Sequence, residues 1–80
     1  MYFLPMDAAQ VRKIWLNGKG ALLTYGKHVQ AHVVINGWEQ IGTGFWLVCC
    51  SVGDEHLQFL LQPDGRNTED GRFPFWEVDD

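Results

Sequence analysis

Eighty residues, a net charge of −4 and two cysteines set the first limits. A chain of this length forms one domain that buries only about 60% of its unfolded surface, and the adjacent Cys49 and Cys50, about 3.8 Å apart at Cα, cannot close an ordinary disulfide. The balance is +2 over residues 1–53 (four bases, two acids) and −6 over 54–80 (two bases, eight acids), which speaks against a general nucleic-acid binder with its basic stripe, while no run reaches the ~18 apolar residues of a membrane span.

The opening MYFLPMD is too short and lacks the basic flank of a signal peptide. Residues 2–4 read as a short strand. Asp7 then stands as an N-cap with Gln10 three positions on, the pattern of a capping box, and Met6 and Val11 fit a hydrophobic staple. Val11, Ile14 and Trp15 follow at helical spacing, with Arg12, Lys13 and Asn17 turned away and Gly18 as the stop. The spacing predicts one helix over 8–17.

Beyond Gly20 the period becomes two. Strands are expected over 21–25 and 28–35, with Val29, Ala31, Val33 and Ile35 on one face. Asn36-Gly37 is the strongest short hairpin signal in the chain, and a type I′ turn there would pair Ile35 with Trp38 and open a new strand over 38–42. The GTG at 42–44 suggests a hairpin bulge. Phe45–Val52 is apolar on both faces, as a central strand is. If Gly53-Asp54 forms a two-residue turn into a strand over 55–62, Trp46, Val48 and Cys50 meet Leu61, Phe59 and Leu57. A slip of one residue would destroy that all-apolar match.

QPDGRNTEDGRF carries two Asp-Gly steps and reads as an exposed loop with successive turns. Asp64 and Asp70 would form Asx turns. An EF-hand reading fails, because counting back from Gly71 puts Arg66 at the first ligand position. The chain closes on GRFPFWEVDD, with a strand over 73–78. Pro74 cannot donate to a ladder, which predicts an edge strand. Phe73 and Phe75 then share one face, and Trp76 and Val78 the other. The sum is an α+β domain over 1–80, an antiparallel meander of five or six strands packed by one N-terminal helix; the alternative is a small rolled barrel with one helix.

Chemistry is thinly represented. Cys49 and Cys50 lie inside FWLVCCSV, where a thiol behaves as a small hydrophobe and not as a nucleophile. His28 and His32 have the spacing of a helical metal pair but fall in a strand pattern, roughly 13 Å apart, too far to share one ion. No GxSxG, P-loop or paired carboxylates occur. No catalysis, metal or cofactor is expected.

Apolar residues with glycine make up 44 of 80, or 55%, against about 45–50% in ordinary domains. That surplus predicts docking on another protein or self-association as a homodimer. The expected partner residues are Trp76, Phe75 and Trp38 as aromatic anchors, with Glu77, Asp79 and Asp80 as an acidic rim. The reading is a non-catalytic, cytoplasmic accessory module of the kind phages and mobile elements encode. Two alternatives stand beside it: a module enclosing a small apolar ligand, and a single-stranded nucleic-acid binder that stacks bases on its tryptophans.

Overall fold

The computed structural model describes residues 2–26 and 28–79, the side chains of residues 2, 3, 29, 78 and 79 excepted. The elements are β1 (Tyr2–Pro5), α1 (Ala8–Leu16), β2 (Gly20–Tyr25), β3 (His28–Ile41), β4 (Phe45–Val52), β5 (Glu55–Leu61) and β6 (Phe75–Asp79). All six strands join one antiparallel sheet in the order β1-β6-β2-β3-β4-β5. Strands β2 to β5 form the meander, and a loop then carries β6 back to the far side of β2. The fold is α+β, and the sheet is open, not a closed barrel.

The helix forms where its caps place it. Asp7 accepts from the Gln10 amide at 2.9 Å, and the Gln10 side chain accepts from the Asp7 amide at 2.9 Å, which completes the capping box. At the other end the Gly18 amide reaches Trp15 O and the Lys19 amide reaches Ile14 O. This Schellman pair needs a left-handed residue after the cap, and Gly18 supplies it at φ +68°. Val11, Ile14 and Trp15 turn onto the sheet, where Val11 is fully buried.

One sheet face and the helix enclose the core of Met6, Val11, Leu23, Val33, Ile35, Val48, Cys50, Phe59, Leu61 and Phe75. The β4–β5 register is Trp46↔Leu61, Val48↔Phe59 and Cys50↔Leu57, the pairing predicted from the Gly53-Asp54 turn. The sheet curls enough for strands far apart in the order to touch. Phe59 of β5 packs edge-on against Phe75 of β6 at 5.3 Å and against Tyr25 of β2 at 4.9 Å.

Asn36-Gly37 does not form a hairpin. Strand β3 runs unbroken from His28 to Ile41, and its register to β4 shifts between Ile35↔Cys50 and Gly37↔Cys49. The extra residue is a bulge, with the Asn36 amide group donating to Ser51 Oγ. It has a packing consequence. Strict alternation would send Trp38 to the face opposite Ile35; the bulge returns it to the core side, opposite Val48. The reversal comes later, at Gly42-Thr43-Gly44, a three-residue hairpin with φ +60° and +84° at its glycines.

The edge-strand reading of the C-terminal segment is also overturned. β6 lies inside the sheet, between β1 and β2. Pro74 sits just before the strand, so its missing donor is not needed, and its carbonyl accepts from the Thr24 amide at 2.9 Å. The connecting loop is tied by the predicted Asx turns, Asp64 to the Arg66 amide and Asp70 to the Arg72 amide. It also shields the outer edge of β5, where the Thr68 amide donates to Leu60 O.

Candidate functional site

The aromatic anchors expected at the C-terminus divide between core and surface. Phe75 is fully buried among Leu23, Phe59 and the helix, so it presents no surface to a partner; alternation from the core-facing Leu23↔Phe75 pair fixes it there. Trp76 points the other way, beside Leu22. Its indole N–H is shared between Thr24 Oγ1 and Phe73 O, both at 3.0 Å, and Phe73 packs edge-on against its ring at 6.3 Å. Phe73 is in turn covered by the Arg66 guanidinium, 5.3 Å from the ring centroid. The indole is therefore held in one orientation, half-buried, with its hydrogen-bonding edge used and a ring face left over.

Trp38 is not beside Trp76. It stacks on Trp46 at 4.9 Å on the core side of the sheet, and its buried N–H has no acceptor among the described residues. Glu77 is exposed on β6. Asp79 takes part in β6 through its backbone pairing with Tyr2, and Asp80 lies outside the described residues. The predicted set is thus not one patch.

Where β2 and β6 part, the structure has a cleft. Their pairing covers Leu22↔Trp76 and Leu23↔Phe75, after which β6 continues against β1 and β2 against β3. A space of about 500 Å³ opens there, with Trp76 and Leu22 on one side and Lys13, Asn17 and Lys19 from the end of the helix on the other. In the sequence Lys13 reads as a base turned away from the apolar stripe of the helix, and Lys19 only as one of the four bases of residues 1–53. The signal that joins them is the Schellman end at Gly18, which turns the chain back so that a last-turn lysine and the lysine after the helix border the same space.

Among the described residues, no helix lies on the other sheet face over β3–β5. Alternation from the buried Val48 and Cys50 places Phe45, Leu47 and Cys49 on this face, opposite Ile41, Glu39 and Gly37, with Leu60 beyond Leu47. Val34 is 57% exposed, Phe45 41% and Ile41 40%. In the same face Ser51 Oγ lies 3.1 Å from His56 Nδ1.

The histidines do not converge. The β2–β3 register shifts between Leu23↔Ala31 and Thr24↔Val29, and Gln30, the bulged residue, takes φ +56°. This puts His28 on the core side, 2.6 Å from Glu55, and His32 on the other face beside Leu22. Cys50 is buried, and burial, with Cys49 next to it, pushes its thiol up to about 12. Such a group is a poor source of thiolate.

No helix of the described residues is long and apolar enough to cross a membrane. In comparisons with known proteins, the chain matches no family model, no curated protein and no solved structure.

Proposed function

We propose that the chain is a non-catalytic binding module that pairs with a second copy of itself through the uncovered face of β3–β5. The observation that carries this reading is the apolar set Val34, Ile41 and Phe45, each 40% exposed or more, on a strand face that no other element of the described residues covers. Exposed apolar clusters of this kind mark association surfaces.

Charge and size favour a second copy as the occupant. The face carries one carboxylate, Glu39, and the imidazoles of His32 and His56 in place of a charged rim, so two copies meet there without the repulsion that the acidic remainder of a −4 chain would impose. Three strands of this length span about 15 by 25 Å. A face-to-face pair then buries on the order of 1,000 Å² in total, the lower bound for a stable interface. A two-fold contact needs a self-complementary patch, and an apolar one meets that condition.

Light scattering over a concentration series tests it. Wild type should rise towards the dimer mass, and Val34→Lys with Phe45→Lys should hold it at monomer while thermal unfolding stays cooperative. A wild type that is monomeric at all concentrations, or a dimer indifferent to both lysines, would overturn the reading.

A further inference from the structure

We propose that the cleft between β2 and β6 binds a small planar anion, its ring against Trp76 and its phosphate or carboxylate between Lys13 and Lys19. This site borders the association face at His32 and Gly20, the latter paired with Val34, but does not depend on it.

Volume comes first. About 500 Å³ falls within the usual range for small-ligand sites, about 300–1,000 Å³. The second argument is rigidity. Both acceptors of the Trp76 N–H come from its own surroundings, so the indole is oriented before any ligand arrives. What it still offers is a π face, continued by the side chain of Leu22. Stacking on a fixed ring favours any nucleobase, because every base has a π face. A flexible ring would lose part of that gain in ordering.

The charge comes from Lys13 and Lys19. Neither makes an ion pair with another described residue. Against their two positive charges stand the Glu77 carboxylate on the same cleft and the negative end of the helix, equivalent to about half a charge. The surplus of about half a unit suits one anionic group. It does not suit a phosphate chain, which the −6 of residues 54–80 would also repel. The parting strands add polar groups. Ala21 and Glu77 would be the next pair of the β2–β6 ladder, and there the two strands no longer pair. At the position beyond, alternation from the Thr24 amide, which donates to Pro74 O, turns the main-chain groups of Gly20 toward the gap, where a ligand can reach them.

The test is an NMR titration of the full chain with adenosine 5′-monophosphate and with indole-3-acetate, each a ring bearing one anionic group. Adenosine and inorganic phosphate serve as the separated halves. Both planar anions should shift the Trp76 indole N–H and the Gly20 and Ala21 amides saturably, and each half should bind about tenfold more weakly. Lys13→Gln with Lys19→Gln, both exposed and safe for folding, should weaken both anions about tenfold while leaving adenosine unchanged. Trp76→Leu should weaken the planar ligands and spare phosphate. If neither planar anion gives saturable shifts at millimolar concentrations, or if the lysine variant binds them as wild type does, the proposal fails.

Discussion

Replacing Gly65 by alanine tests how tightly the helix is anchored to the loop after β5. Gly65 is buried at φ +95°, and a Cβ built there would stand 1.9 Å from Met6 O and 2.8 Å from Asp7 Cα. Those are backbone atoms of the segment that caps α1, and they cannot swing aside as a side chain can. Two costs combine. A left-handed backbone costs a non-glycine residue about 1–2 kcal/mol, and forcing a methyl group into occupied space costs about 1–3 kcal/mol. The expected loss for Gly65→Ala is about 3–4 kcal/mol, close to half the stability of a domain of this size, about 8 kcal/mol at 0.1 per residue. Gly71→Ala is the control, since Gly71 has a comparable φ of +70° but nothing within 4 Å of its Cβ position. It should lose only the conformational part, about 1 kcal/mol. Guanidinium unfolding of both, with a slope of about 2 kcal/mol per molar, should separate their midpoints by about 1 M. Equal midpoints would show that the methyl group meets no resistance at Gly65, and the reasoning about the Met6–Asp7 contact would be wrong.

Asp7→Ala removes one half of the capping box and should cost about 1 kcal/mol in the same assay. Trp38→Phe keeps the aromatic body against Trp46 while deleting a buried N–H that lacks an acceptor; its stability should stay within about 1 kcal/mol of wild type, whereas Trp38→Ala should lose about 3 kcal/mol or more. Deleting Asn36 should be tolerated, because it removes only the extra residue and leaves Ile35, Gly37 and Trp38 as consecutive pairs with the faces of residues 37–41 unchanged; circular dichroism should show cooperative folding retained. The Cys50 thiol supplies a pH dependence with a definite sign. Its folded value is raised from 9.0 to about 12, so the folded state holds the proton that the unfolded state gives up. The stability is complete below pH 9 and falls between 9 and about 12, by about 1.4 kcal/mol per pH unit, a slope that Cys50→Ala should lack.

The parts that sequence made legible are those fixed by local chemistry. The helix is bounded by Asp7, Gln10 and Gly18, whose roles are set within one turn of the chain. The β4–β5 register follows from a two-residue turn and two matching apolar rows. Asn36-Gly37 misled because its dipeptide preference is a local property, while its outcome is decided by packing. A hairpin there would break β3 in two, whereas the bulge lets Ile35 and Trp38 pack on the same side against one partner strand. Pro74 misled for a related reason: proline bars a position, and β6 begins one residue later. The position of β6 depends on pairings with β1 and β2 that no short window contains. The candidate sites were hidden for the same reason. Trp76 could be singled out by type, but its neighbours Lys13 and Lys19 lie more than fifty positions away in the chain.

The two-pair seam between β2 and β6 bears on the order of folding. Leu22 and Trp76 stand 54 positions apart, and closing a loop of that length costs about 2 kcal/mol more entropy than closing a short hairpin. The meander β2–β5 is built from turns of two or three residues wherever its turns are described and can assemble first. The return of β6, with Phe75 sealing the core and β1 zipped to its outer side, comes last. A seam that closes last on two pairs is also the one that opens first in the native protein, ahead of the meander. Amide exchange at Leu22 and Leu23 should therefore be faster than at the matching positions of β4, and a ligand seated against Trp76 would slow it by holding the seam shut.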